Sequence, residues 1–433
     1  EVEDFIYRGL NFFYVYKADT PELANNFFAT AQEKETFLNS FGTPQGLFSH
    51  LRAGRDRFSV LVEDYVALEN ALGGTTLNNG MEYGLVRYPD GSGNVFGYVR
   101  YVLPNTSASE NKLQRGNIFN TIDGVQITEN NFSDLLAPGT YTIGLATFDG
   151  ETVTPTEGTA TLIKTQYTED PIFIAKTLDI AGSKVGYLMY NGFTGSFDAQ
   201  LNAAFAQFKA DGVGNLVLDL RYNSGGSVRS ATYLSGMVTG QFTGKLLYQE
   251  QWNADRQADY AANGVFLDRF VGGGEALNSL QLTKLYVLTT QRTASASELV
   301  INSLAPYINV VQVGTNTTGK YQASFILYDA PAPGFSRGQA SPNHTFAMLP
   351  LVFQTANATG NTGFDKGLPP DIELGEDFSN LGQLGDPTEP LLAAALNAIF
   401  PTTATVALPK YTAQVLAESK ENNPLHQLMI AEH

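Results

Sequence analysis

Four short, almost wholly apolar runs separated by helix-patterned or turn-rich stretches constrain this chain most. Val185–Tyr190, Leu216–Leu220, Leu285–Thr289 and Val310–Val313 each read as a strand apolar on both faces, and Asp219 is the single charge inside the second. Phe197–Asp211 and Ala296–Ala305 carry apolar residues at helical spacing between them. Strands with no polar face must be covered on both sides, and alternation with helices supplies that cover. The expected core is therefore an α/β unit around a mostly parallel sheet.

The flanking texture differs. Residues 1–76 read as a helical N-terminal domain. Phe5, Leu10, Phe12, Phe13 and Val15 group on one side, Pro21-Glu22 opens a second helix, and Phe58–Leu72 continues until Gly73-Gly74. Residues 77–165 are β-rich, with runs at Tyr83–Tyr88, Val95–Leu103, Ile118–Ile122 and Tyr141–Thr147 divided by turns such as Pro89-Asp90-Gly91. Residues 166–402 hold the α/β core, closed by a helix over Glu389–Phe400. Residues 403–433, with few long apolar runs, read as a peripheral tail.

A chain of 433 residues with 43% apolar content can bury a sizeable core, and a net charge of −17 repels nucleic acid and anionic membrane alike. The absence of cysteine excludes disulfides, thiolate metal sites and a cysteine nucleophile. No metal or other cofactor is implied. The longest nearly apolar run, Leu391–Phe400, is half the roughly 20 residues of a membrane helix. Only 16% of residues are charged, while Asn, Thr, Gly and Tyr are plentiful. Both points lean toward an exported, periplasmic or cell-envelope protein whose leader, or lipid anchor, would lie upstream of Glu1.

Chemistry concentrates at three places. Ser295-Ala296-Ser297-Glu298 falls between a strand and a helix and spells the S-x-x-E capping box, which puts Ser295 at a helix N-terminus. By itself this pattern is usually only a cap, and Ser107-Ala108-Ser109-Glu110 in the β-rich segment is read that way. At the end of a parallel sheet, however, free amides and the helix dipole favour the negative charge of an attacked carbonyl. Twenty-five residues on, Gly314–Lys320 returns to the same sheet edge. A lysine there becomes a base only if burial or a neighbouring positive charge keeps it neutral. Third, the buried strand Leu216–Arg221 runs into Gly225-Gly226, where amides can approach a ligand closely.

In this order, L-D-L-R-Y-N-S-G-G, A-S-A-S-E and G-T-N-T-T-G-K resemble the carboxyl-terminal processing (tail-specific) proteases, S41-type serine peptidases with a PDZ domain. The resemblance spans roughly residues 80–400. It implies Ser295 as nucleophile, Lys320 as general base, and an oxyanion hole from the amides of Ala296 and of Gly225 or Gly226. Many members carry a glutamine four residues after the lysine; here that position is Ser324, and Gln322 lies two residues after. If Lys320 is on a strand, both share its face and either could orient it. The resemblance also reads Tyr83-Gly84-Leu85-Val86 as the carboxylate-binding loop of a PDZ-like domain, with Leu113–Ile118 and Ile122-Asp123-Gly124 as its following stretch. The implied reaction is hydrolysis of proteins or peptides engaged near their C-terminus. The alternative is a peptide-binding protein that keeps the fold without turnover.

Two further patterns fail on context. Gly334-Phe335-Ser336-Arg337-Gly338 spells a nucleophile elbow but stands among prolines instead of between strand and helix. Ser109–Lys112 spells S-x-x-K without a following K-T-G. His50 and His344 have no partner at metal-ligand spacing.

Overall fold

The computed structural model describes residues 1–261, 266–271, 276–401 and 408–432. The four apolar runs form neighbouring strands Ser183–Tyr190, Asn215–Asp219, Lys284–Thr289 and Asn309–Gly314, all parallel. Ile372–Glu373 extends the sheet in parallel at one edge, and Ile172–Ile180 closes the other antiparallel edge. That last strand was not legible: its polar alternation ends in Ala181-Gly182, both at positive φ, which turns the chain straight into Ser183–Tyr190.

Period-two burial explains the layers. Leu188, Leu216, Leu218, Leu285 and Val287 face Leu201, Phe205 and Phe208 of helix Asp198–Ala210 and Leu299 and Val300 of helix Ala296–Leu304. Tyr187, Met189, Val217, Tyr286 and Leu288 face Leu391, Leu392 and Ala395 of helix Pro390–Ile399. Each fully buried aliphatic side chain contributes roughly 1.5–3 kcal/mol.

A second six-stranded sheet runs Gly226–Ser227, Met429–Ile430, Gln322–Ser324, Leu351–Asn357, Leu246–Trp252 and Leu267–Arg269, parallel at its first two pairings and antiparallel beyond. Across all sheets of the described residues the pairings are mostly antiparallel. The parallel expectation holds for the core sheet and not for the molecule.

The first 76 residues are helical at Val2–Phe13, Ala31–Leu38, Pro44–Leu51 and Tyr65–Leu72, the last three capped by Thr30, Thr43 and Asp64. They close on no core of their own: Phe5, Leu10, Phe13, Leu47 and Leu51 lie in one cluster with Leu216, Val287 and Phe353. Two details depart from expectation. Pro21–Leu23 is a single 3-10 turn, and Val60–Val62 is a strand paired with Ala347–Leu349, so the helix starts only after the Asp64 cap.

The β-rich segment forms an antiparallel sheet in the order Ala417–Glu418, Met81–Arg87, Val95–Val102, Ile118–Ile122, Thr140–Phe148 and Val153–Ile163, with Val125–Gln126 attached to Ile118–Ile122. It has separate apolar clusters on its two faces, around Leu85 and Phe119 and around Phe96 and Phe378. The reading of residues 403–433 as peripheral does not hold where it is described. Ala417–Glu418 and Met429–Ile430 are strands of two different sheets, and Ala417, Leu428 and Met429 are buried. Two-residue strands are too short to show a period, which is why sequence pattern missed them.

Candidate active site

Ser295 lies where strand Lys284–Thr289 has turned into helix Ala296–Leu304. It is fully buried and has φ 66°, a value that costs a non-glycine residue about 1–3 kcal/mol and persists only where neighbours enforce it. The enforcing contacts come from Leu220–Gly226. Thr293 Oγ1 donates to the Leu220 carbonyl (2.8 Å), and the Ala294 amide and Ser297 hydroxyl both donate to the Asn223 carbonyl (3.1 Å each). Asn223 in turn accepts the Gly225 amide (2.9 Å), and its own amide donates to the Tyr190 carbonyl (2.8 Å). Gly225 and Gly226 have φ 113° and 131°. A Cβ on Gly225 would stand 2.5 Å from Ser295 Cβ and 2.7 Å from Ser295 Oγ, so glycine is required there by space as well as by dihedral.

Ser295 is the N-cap, as the S-x-x-E pattern requires, but only half of the capping box forms. Glu298 accepts the Ser295 amide (2.8 Å), while Ser295 Oγ has no hydrogen-bond partner among the described residues. The same carboxylate takes the Lys320 amide (2.8 Å), the Gly319 amide (2.7 Å) and the Thr317 hydroxyl (2.5 Å). Glu298 therefore latches the lysine loop to the serine turn, a role the motif did not suggest. Burial pushes its pKa up, opposed by these four donors.

Lys320 is completely buried. Loss of solvent lowers its pKa to about 7, against the opposing pull of Asp56 and Glu298. Its Nζ lies 5.3 Å from the Phe58 ring centre and has no hydrogen-bond partner among the described residues. Asp56 is held by the Tyr14 hydroxyl (2.7 Å) and the Phe58 and Ser59 amides (2.9 Å each). The N-terminal segment thus walls the lysine pocket, and no local motif signals Tyr14, Asp56 or Phe58.

Lys320 precedes the strand Gln322–Ser324 and is not on it. Gln322 and Ser324 are both buried; the Gln322 amide donates to the Tyr16 hydroxyl (2.6 Å), while Gln322 Oε1 and Ser324 Oγ have no hydrogen-bond partner among the described residues. Behind the glycine loop, buried Arg221 pairs with Asp219 and Glu389, and Arg115 of the β-rich sheet joins Glu376 and the Tyr222 hydroxyl, which ties that sheet to the loop.

Tyr83-Gly84-Leu85-Val86 is not a loop. It lies inside strand Met81–Arg87, paired on one side with Val95–Val102 and on the other with Ala417–Glu418. A run hydrogen-bonded to partner strands on both edges is a strand whatever its glycine suggests. Ser336 is exposed with no strand before it, and Ser107–Glu110 is one helical turn whose cap is Thr106, one residue earlier than the motif reading. His50 contacts Glu22 (3.1 Å). His344 contacts Asp329 (3.1 Å), and with Glu1 these two lie within metal-ligand reach of one another, although Arg8 already binds Asp329 (2.6 Å). Among the described residues no helix is long and apolar enough to cross a membrane.

Residues 184–374 match the model of peptidase family S41. The chain is 31% identical over 150 residues to the carboxyl-terminal-processing protease of a Picosynechococcus, covering 34% of this chain and 32% of that protein. It is 25% identical over 272 residues to the chloroplastic C-terminal processing peptidase of Tetradesmus obliquus, covering 59% and 53%. The matched stretches thus span from a third to about half of these relatives. An S41 protease chain from Bacteroides fragilis superposes with a TM-score of 0.69 at 28% identity, covering 91% of this chain and 96% of that one. The photosystem II D1 C-terminal processing protease shares the fold, with a TM-score of 0.54 at 21% identity over 91% of this chain and 97% of that one. The serine turn, the glycine loop and the lysine loop all fall inside the residues that match the peptidase family S41 model, and the chain is similar over part of its length to carboxyl-terminal-processing proteases.

Proposed function

We propose that the chain is a serine endopeptidase in which Ser295 attacks a peptide carbonyl and neutral Lys320 takes its proton. The observation that carries this reading is a buried serine in an enforced positive-φ turn, latched through Glu298 to a lysine whose pKa burial has lowered to about 7. Near neutral pH a large fraction of such a lysine is unprotonated and able to act as base. Ser295 Oγ would form the acyl-enzyme, the Lys320 proton would pass to the leaving amine, and water would release the acyl group. Ala296 opens the helix, so its amide has no intrahelical acceptor. The Gly225 amide is held by the Asn223 side chain of its own loop, whereas the Gly226 amide bonds the Leu428 carbonyl, an acceptor that a substrate carbonyl can replace, which favours Gly226 as the second oxyanion donor. Gln322 or Ser324 would orient the lysine.

The substrate is a protein or peptide engaged near its C-terminus, with the β-rich sheet acting as a PDZ-like peptide binder and the enzyme working outside the cytosol. A peptide adding to Tyr83–Val86 has to displace Ala417–Glu418. Incubating wild type, Ser295→Ala and Lys320→Ala with an unfolded protein tests the assignment. Hydrolysis by the wild type alone is expected. Hydrolysis surviving both substitutions sinks it, and binding without cleavage by the wild type establishes the non-catalytic alternative.

A further inference from the structure

Residues 415–430 touch both places where a substrate would bind. At the first, Ala417–Glu418 add antiparallel to the strand holding Tyr83–Leu85: the Leu416 amide donates to the Leu85 carbonyl (2.8 Å) and the Ser419 amide to the Tyr83 carbonyl (3.1 Å). Buried Glu418 pairs with Arg100, and Arg292, three residues before Ser295, donates to the Val415 carbonyl (3.3 Å). At the second, the Gly226 amide donates to the Leu428 carbonyl (2.8 Å). The point a Gly225 Cβ would occupy is 2.7 Å from both that carbonyl oxygen and Ser295 Oγ. Met429 and Ile430 pair in parallel with Gly226 and Ser227, and the Ala431 amide donates to the Ser324 carbonyl (3.0 Å).

Between these two places the chain follows an open groove. A cavity of about 710 Å³ is lined by Tyr83, Glu169, Ser419, Lys420 and Asn423, and a smaller one next to it by Gly225, Gly226, Lys420, Asn423 and Leu425. The Leu428 side chain is buried against Leu68 and Leu349, with Val60, Val62 and Ile326 around it.

We propose that residues 425–430 occupy the cleft as an internal pseudo-substrate, with Leu428 in the place of the residue that contributes the attacked carbonyl. The pocket of Leu68, Leu349, Val60, Val62 and Ile326 then selects an aliphatic side chain on the N-terminal side of the cleaved bond. This rests on Ser295 and Gly226 marking the reacting centre. These five side chains offer only hydrocarbon, so a charged side chain packed against them loses solvation. A cleft filled from within also lowers apparent affinity by the fraction of molecules in which it is free.

The test uses the full chain carrying Ser295→Ala, with and without Leu428→Asp, and a fluorescent peptide of the sequence Asn423–Glu432 read by anisotropy. Leu428→Asp should raise affinity for this peptide by about tenfold or more, and the same peptide with Asp at the position of Leu428 should bind neither protein. Equal affinity of the two proteins, or of the two peptides, overturns the proposal. If Leu428→Asp does not fold by circular dichroism, Leu428→Ala should give the same ordering with about a threefold shift, and no shift overturns it equally. With Ser295 intact, Leu428→Asp should speed hydrolysis of an unfolded protein, with cuts after Leu, Met or Ile by mass spectrometry. Peptide affinity that responds as expected in a chain that hydrolyses nothing refutes the catalytic reading alone. Hydrolysis combined with unresponsive affinity refutes the pseudo-substrate alone.

Discussion

The tetrapeptide Ser-Ala-Ser-Glu occurs twice, at 107–110 and at 295–298. At 107–110 it forms one helical turn capped by Thr106: the Ser109 hydroxyl bonds the Thr106 backbone and Glu110 points into solvent. At 295–298 the same residues open a nine-residue helix, the first serine sits at φ 66°, and the glutamate is buried under four donors. Both copies start a helix, which is all that local preference encodes. The difference comes from what other segments bring to the turn. Leu220–Gly226 and Thr317–Lys320 meet the second copy, whereas the first meets only its own sheet.

The contrast can be broken or sharpened by substitution. The largest effect is expected for Gly225→Ala, whose Cβ overlaps Ser295. It should cut kcat/KM at least about a thousandfold and lower stability by about 2 kcal/mol or more. Gly116→Ala, near the first copy and with open space at φ 89°, should cost only about 1 kcal/mol and leave kcat/KM unchanged. Retention of a tenth of the activity by Gly225→Ala would show that the glycine loop does not face the reaction.

Next comes Glu298→Ala, which strands four donors. A loss of about 3 kcal/mol in denaturant unfolding and of about a hundredfold in kcat is expected. Glu110→Ala should stay within about 0.5 kcal/mol. Similar costs for the two glutamates would erase the distinction between latch and cap.

The proposed mechanism requires Lys320 to lose its proton, and burial has brought its pKa to about 7, so the pH profile should show a tenfold gain in kcat/KM per unit below about pH 7 and a plateau above. Phe58→Ala lets water reach Nζ, relieves the desolvation, raises the pKa and moves the inflection to higher pH. A profile flat from pH 5 to 9 would remove Lys320 from the mechanism. The smallest effect separates Ser324 from Gln322. Ser324→Ala should lower kcat about fivefold with KM unchanged, and Gln322→Ala about twofold, since Tyr16 already binds the glutamine amide. The reverse order would make Gln322 the group that orients Lys320.

The sequence by itself determined the core sheet, its two helical layers, the serine turn and the glycine pair, because each is written in a short stretch. Short, nearly continuous apolar runs between helical stretches specify buried strands, and S-x-x-E specifies a helix start. It also pointed to Lys320 by spacing and resemblance. Only the tertiary structure decided that Phe58 and a Tyr14-held Asp56 stand beside that lysine, that Glu298 joins two loops, that the N-terminal helices share the central core, and that residues 417–430 complete two sheets. Those outcomes depend on contacts between residues scores to hundreds of positions apart. Neither a two-residue strand nor a lone phenylalanine has a period that could announce them; they become visible only when the chain closes and removes water from around Lys320.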